Sequence, residues 1–247
     1  MSTDAKRLTR VYFPGEIHAH GLCTVPPVRA HHLMHVLRLA AGDALLVFDG
    51  SGHEYDAVIE RVGKSGVTLR VSDPREVDRE SPLVLTLAQG ISSGERMDYT
   101  VQKAVELGVT GIQPLTTERS VVRLDATRAA KRAAHWQAII VSACEQCGRN
   151  RVPEVRPVET LPKWLGSVSD ALKLVLSPGA VTTLATLPRP QSAVTLLVGP
   201  EGGLSPREQR DAASGGFLPV RLGPRVLRTE TAALAALAAM QTLWGDF

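Results

Sequence analysis

The sequence predicts an α/β domain on a largely parallel sheet, preceded by a smaller β-rich domain. Three observations carry this. Past Pro82, strand-length apolar segments alternate with helix-length segments, the pattern of a sheet with helical crossovers. Those strands show almost no polar alternation, as expected when both sheet faces are covered. Before Asp73, short alternating strands are separated by Gly-containing turns, which predicts a small antiparallel sheet or barrel.

Ala44–Phe48 is a strand closed by the turn Asp49-Gly50-Ser51-Gly52. Glu54–Ile59 and Val67–Val71 alternate on either side of Gly63-Lys64-Ser65-Gly66. His31–Leu39 carries Leu33, Val36 and Leu37 at helical spacing and predicts a short helix. Asp73–Pro82 is polar and ends in proline, the expected linker between a domain at 1–72 and one at 83–247. Leu83–Leu87 is an apolar strand, and Ser92–Gly94 opens a helix that reaches Leu107 and stops at Gly108. Ile112–Leu115 is a strand. Asp125 caps a long helix to Cys147, with Gly148 as its stop. Ala171–Leu176, Val194–Val198 and Leu218–Leu222 are further strands. Ser205-Pro206-Arg207-Glu208 combines a capping box with proline at the first helical position. Thr229–Leu243 is a last, Ala-rich helix whose small-residue face allows close approach to another backbone or a subunit partner.

The chain has 247 residues and a net charge of +3. The excess is local: Lys6, Arg7, Arg10, Arg29 and Arg38 face only Asp4 and Glu16 in the first forty residues, which also hold five of the seven histidines. This asymmetry hints at a polyanionic partner, against the alternative of a solvated surface. The longest apolar run, Ala232–Met240, is too short to span a bilayer. No secretory signal pattern opens the chain, and three cysteines make no disulfide framework, so a cytoplasmic location is expected.

Two loops carry the chemistry. Gly199-Pro200-Glu201-Gly202-Gly203 lies between a buried strand and a capped helix, where ligands bind in open α/β sheets. It is neither GxGxxG nor a Walker sequence, which disfavours a nucleotide-phosphate enzyme. Leu222–Thr231 (LGPRVLRTET) follows the last strand and packs two arginines, a glutamate and two hydroxyls into an otherwise apolar region. The alternative is an ion pair capping the last helix. A third stretch, 119–156, is locally basic, with Arg119, Arg123, Arg149 and Arg151 among its cations. Cys144-Glu145-Gln146-Cys147 falls at a helix end, the wrong place for a redox CxxC, and no second ligand pair makes a zinc site. His31-His32-Leu33-Met34-His35 is not HExxH, and its histidines are read as packing or RNA-facing groups; no metal is expected.

Four blocks carry a resemblance. They are Arg96-Met97-Asp98 with Gln102–Val109, Trp136 with Ala143–Pro153, the Gly199–Gly203 loop, and Leu222-Gly223-Pro224-Arg225-Val226-Leu227-Arg228-Thr229-Glu230-Thr231 with the alanines after it. In order and in combination they resemble the small-subunit ribosomal RNA uracil-N3 methyltransferases of the SPOUT class. Arg10–Phe13 and His32–Arg38 resemble that family's PUA-like RNA-binding domain. The resemblance implies a SPOUT-type α/β fold with a deep C-terminal trefoil knot, a PUA-like β-barrel at 1–72, and a homodimer. It implies S-adenosylmethionine held by Leu176, Leu197, Gly199, Pro200, Glu201, Gly202, Leu222, Gly223, Arg225, Val226, Leu227, Thr229 and Thr231. The partner would be 16S ribosomal RNA, in the small ribosomal subunit, contacted by Arg7, Arg10, Arg29, Arg38, Arg119, Arg123, Arg149 and Arg151. Arg228 suits charge stabilisation, and Glu201 or Glu230 would accept the N3 proton; the sequence does not choose between them. Residues 157–192 match loosely and carry no functional expectation. A knotted methyltransferase for another RNA atom, and a non-catalytic ribosome-assembly factor, are the competing readings.

Overall fold

The computed structural model describes residues 8–15, 17–63, 66–122 and 124–247; Arg7 and Arg123 therefore lie outside the described residues. The chain divides into two compact units, Met1–Glu80 with Cys144–Val152, and Ser81–Ala143 with Pro153–Phe247.

The first unit is a five-stranded sheet of β1 (Thr9–Tyr12), β2 (Leu22–Val25), β3 (Ala44–Phe48), β4 (His53–Gly63) and β5 (Gly66–Glu76), in the order β1-β3-β4-β5-β2. The three strands foreseen from alternation pair antiparallel, but β1, which the alternation did not reveal, pairs parallel with β3. Asp73–Glu76 continue β5 rather than opening a linker. Pro74 lies beyond the reach of β2, which pairs only with Val67–Arg70, so this end of β5 is an edge, where proline is found. The expected helix over 31–39 is instead α1 (Pro27–His31) running into a π-helical turn, His32–Val36, in which the Leu37 amide donates to the His32 carbonyl at 3.0 Å. The wider turn buries Leu33 fully and leaves Val36 61% exposed. Period-two alternation drives Leu45, Val47, Tyr55, Ala57, Ile59, Val67, Leu69 and Val71 into one core.

The second unit comprises β6 (Leu85–Gly90), α2 (Glu95–Glu106), β7 (Gly111–Thr116), most of α3 (Ala126–Cys147), β8 (Glu154–Val155), β9 (Glu159–Thr160), α4 (Leu161–Leu165), β10 (Leu172–Leu176), β11 (Val194–Val198), α5 (Pro206–Ser214), β12 (Leu218–Val220) and α6 (Thr229–Trp244). Its pairings are all parallel, in the order β12-β10-β11-β6-β7-β8, with β9 also on β7. The strands are buried runs because helices cover the sheet. Asp125 accepts from the Arg128 amide at 2.8 Å, and Gly108 and Gly148 take φ values of 83° and 94°, as their stop positions require. The Ser205 and Glu208 side chains cap each other's backbone amides, at 3.1 and 2.8 Å. The other Glu208 oxygen accepts from the Glu118 amide at 2.8 Å, tying the β7–α3 loop to α5.

β12 is last in sequence yet sits at the sheet edge beside β10, while α6 packs on α2. The chain leaving β12 runs beside the β10–β11 connection: Arg221 bridges Thr183, and its amide donates to Thr182 at 3.0 Å. Residues 157–192, expected to carry no functional weight, thus help shape this crossing. The small face of α6 is used within the chain, burying Ala233, Ala236, Leu237 and Met240.

Candidate active site

A cavity of about 580 Å³ opens at the carboxyl ends of β10, β11 and β12, as the α/β rule expects. One wall is the Gly199–Gly203 loop and the other is Leu222–Thr229, entering α6. Leu176, Val198 and Val220 form an apolar floor where the strands end.

The glycine-rich loop is held close by its lack of side chains. A Cβ at Gly199 would lie 2.9 Å from the Leu204 amide nitrogen, and one at Gly90 would lie 2.6 Å from Pro200. Glu201 fastens the loop to the start of α2. Its Oε1 accepts from the Ser93 amide at 2.9 Å, the Ser93 hydroxyl at 2.8 Å and Arg96 at 3.0 Å. Burial raises the Glu201 carboxyl, but hydrogen bonds from Ser93, its own amide and Arg96 outweigh it and hold the pKa below the usual range. A carboxylate whose pKa is lowered in this way is a weaker proton acceptor than a free one. Arg119 donates to the Gly202 carbonyl at 3.0 Å and lines the cavity.

The second wall is pinned by Thr229, which is 8% exposed and donates to the Gly199 carbonyl at 2.6 Å. Arg228 precedes the first turn of α6, exposed on the cavity wall. Glu230 lines the cavity in that first turn. Its Oε2 is buried with no hydrogen-bond partner. A buried carboxylate oxygen left bare is costly, which marks it as a position awaiting a donor.

Most of the expected cofactor residues line this cavity: Leu176, Gly199, Pro200, Glu201, Gly202, Leu222, Gly223, Arg225, Val226, Leu227 and Thr229. Two do not. Leu197 points to the opposite sheet face and joins the core with Ala88, Leu115 and Phe217, because strand side chains alternate. Thr231 is turned outward by helical rotation and is exposed. Arg96 was missed as a site residue; its signal was its place in a family block, not its charge. Ser177 and Pro178 also line the cavity, from the stretch given no function.

The basic residues divide differently from expectation. Arg10 does not face solvent: its side chain is 5% exposed, pairs with Glu54 at 2.6 Å, donates to Asn150 and lies 5.0 Å from the Phe48 ring centroid. Arg149 is likewise buried and paired with Glu80. Both belong to an internal network of the first unit, in which Arg79 also reaches Glu54 at 3.3 Å and the Gly148 carbonyl at 3.0 Å. Arg29 is half-buried against Glu145 at 3.1 Å. Arg38 and Arg151 are exposed. Burial pushes the Cys144 thiol up to about 12, so this CxxC cysteine is a packed thiol rather than a thiolate. Among the described residues no cluster of His, Cys, Asp and Glu is arranged for a metal ion, and no helix is long and apolar enough to cross a membrane.

An RNA methyltransferase domain model matches residues 79–241, and an RNA methyltransferase PUA domain model matches residues 29–72. The ribosomal RNA small subunit methyltransferase E of Buchnera aphidicola is 35% identical over 242 residues, 98% of each chain. A Legionella pneumophila protein described as a methyltransferase, solved with the cofactor SAM, matches with a TM-score of 0.94 at 46% identity, covering 98% of this chain and 100% of that one. The ribosomal RNA small subunit methyltransferase E of Neisseria gonorrhoeae, bound to S-adenosyl methionine, matches at 0.91 and 43%, with the same coverage. With the cavity built from the loops that carry the resemblance, and these matches spanning nearly the whole chain, this protein belongs to the ribosomal RNA small subunit methyltransferase E family of RNA methyltransferases.

Proposed function

We propose that this chain methylates N3 of a uridine in 16S ribosomal RNA, within the assembled small subunit, using S-adenosylmethionine. The observation that carries this reading is the glycine-walled cavity with the bare Glu230 oxygen at its edge. Its volume of about 580 Å³ suits a cofactor-sized ligand. Its apolar floor suits an adenine ring, and its closely approaching backbone offers amides and carbonyls to polar ends. When bound, S-adenosylmethionine supplies an electrophilic methyl group on a sulfonium.

The chain's own residues then have defined tasks. N3 of uracil carries a proton and a delocalised lone pair, so it must be deprotonated as it attacks. Glu230 Oε2, bare and beside the site, takes that proton. Arg228, always cationic, steadies the negative charge that spreads to O2 and O4. The two walls hold the reacting atoms in line, an entropic contribution. Arg38 and Arg151 contact RNA phosphates from the PUA-like unit, and Arg119 does so at the cavity rim, setting register rather than reading bases. The target base must leave any stack to enter.

The β12 crossing and the packing of α6 on α2 support a trefoil knot in this segment, as the resemblance implies. We also propose a homodimer and a cytoplasmic location, both on the family likeness. Mass spectrometry of 16S RNA from cells lacking the gene tests the reaction: 3-methyluridine should be missing and return on complementation. Complementation by Arg228→Ala together with Glu230→Gln, with cofactor binding intact, would refute the residue roles.

A further inference from the structure

Gln89 stands in a fully buried strand, 1% exposed, and does not line the cavity. A buried amide in such a place is retained at a cost unless its hydrogen bonds are used. Its Nε2 lies 2.9 Å from the Gly90 carbonyl, 3.4 Å from the Gly199 carbonyl and 3.0 Å from the Thr229 hydroxyl. Carbonyl oxygens only accept, so the atom facing them is the NH2 and the amide's orientation is settled. Thr229 gives its one hydroxyl hydrogen to the Gly199 carbonyl, at 2.6 Å, so toward Gln89 it must accept. The result is a closed triangle with one corner in β6, one in the glycine-rich loop and one at the start of α6. The orientation leaves Gln89 Oε1 buried and unpartnered. A side chain that sacrifices its acceptor to aim its donors is placed for those donors.

We infer that Gln89 is a positioning residue: its side-chain NH2 locks the two walls of the cavity together, so that the methyl-donor site is formed before the ligand arrives. The inference rests on the reading of the cavity as a methyl-donor site. Preorganised walls lower the ordering cost of binding, so the role shows in affinity. The absent Cβ at Gly90 complements it by letting Pro200 approach.

The test measures S-adenosylmethionine affinity by calorimetry, and KM and kcat, for the full chain and for Gln89→Met, Gln89→Glu and Thr229→Val. Gln89→Met keeps the volume and loses the donors; affinity should fall about tenfold, the effect of one buried hydrogen bond. The loss should fall on KM, with kcat at saturating cofactor within about threefold of wild type, as expected when ground-state and transition-state binding are lost together. Gln89→Glu is isosteric but cannot donate when ionised. Its deficit at pH 8 should shrink toward pH 5, as protonation restores one donor, while wild type stays flat. The double variant Gln89→Met with Thr229→Val should be no weaker than the poorer single, because both break one triangle. If wild type binds and Gln89→Met binds equally well, or the Gln89→Glu deficit ignores pH, or the two losses add, the positioning role is wrong. If Gln89→Met does not fold, the pH response of Gln89→Glu decides. A wild-type chain that binds no S-adenosylmethionine would overturn the cavity reading itself, which separates the two failures.

Discussion

Arg10→Ala should destabilise the first unit rather than weaken RNA binding. The guanidinium is 5% exposed and Glu54 4% exposed, 2.6 Å apart, with Asn150 as a second partner and Phe48 beneath. Removing one member of a buried pair costs about 3–5 kcal/mol, because the other charge is left without compensation. Glu54 keeps Arg75 and Arg79, each at 3.3 Å, so the low end applies, about 3 kcal/mol. For a domain of this size that is a melting point lower by roughly 12 °C or more. The pH dependence follows the same pair. Burial raises the Glu54 carboxyl, but Arg10 and Arg79 outweigh it and hold it below its ordinary value. A carboxylate lowered by folding contributes stability that is full above its unfolded pKa and is lost as pH falls through the folded one. In Arg10→Ala the depression is smaller, so less stability is lost on acidification and the loss is complete at higher pH. Calorimetry and urea unfolding of the full chain read the stability, and RNA affinity across a salt series reads the alternative. A variant with wild-type unfolding but a salt slope smaller by about one phosphate contact would show that Arg10 faces RNA and refute the buried-network account.

Arg38→Glu, at an exposed position, should do the opposite: weaker RNA binding with a shallower salt dependence, unchanged melting and unchanged S-adenosylmethionine affinity. Glu201→Gln should loosen the loop by weakening three hydrogen bonds on one oxygen; calorimetry should show weaker cofactor binding, with the wild-type latch failing only as pH falls through the lowered Glu201 pKa. Gly199→Ala should abolish cofactor binding while the chain still folds, since its Cβ would press on the Leu204 amide at 2.9 Å; retained binding by calorimetry would show that the loop can shift.

Helix caps and buried strands were legible because their signals are local. Asp125, Ser205 with Glu208, and Gly108 act on backbone groups within a turn of themselves. β1 and β2 were not, because four-residue strands have too few alternations to stand out and depend on their partners. The cavity loops were legible as glycine-rich and charged segments placed after apolar strands. Leu197 and Thr231 fall outside the cavity lining because membership of a motif does not say which way a side chain turns; strand and helix periodicity does. Gln89 carried no local signal, since its partners Gly199 and Thr229 lie far along the chain.

Sequence by itself determined the class of fold, the order of most elements, the two loops that wall the cavity and the family, because each rests on periodicity or on contiguous motifs. Tertiary structure alone decided what the charges are for. Arg10 and Arg38 are indistinguishable as letters, yet one is enclosed with Glu54 and the other is exposed. Glu201 and Glu230 were equal candidates for the same proton, yet one accepts three hydrogen bonds on Oε1 from Ser93 and Arg96 and the other has a buried oxygen with no partner. An ionisable group takes its role from burial and partners, and those are supplied by residues distant in the chain that only folding brings within hydrogen-bond reach.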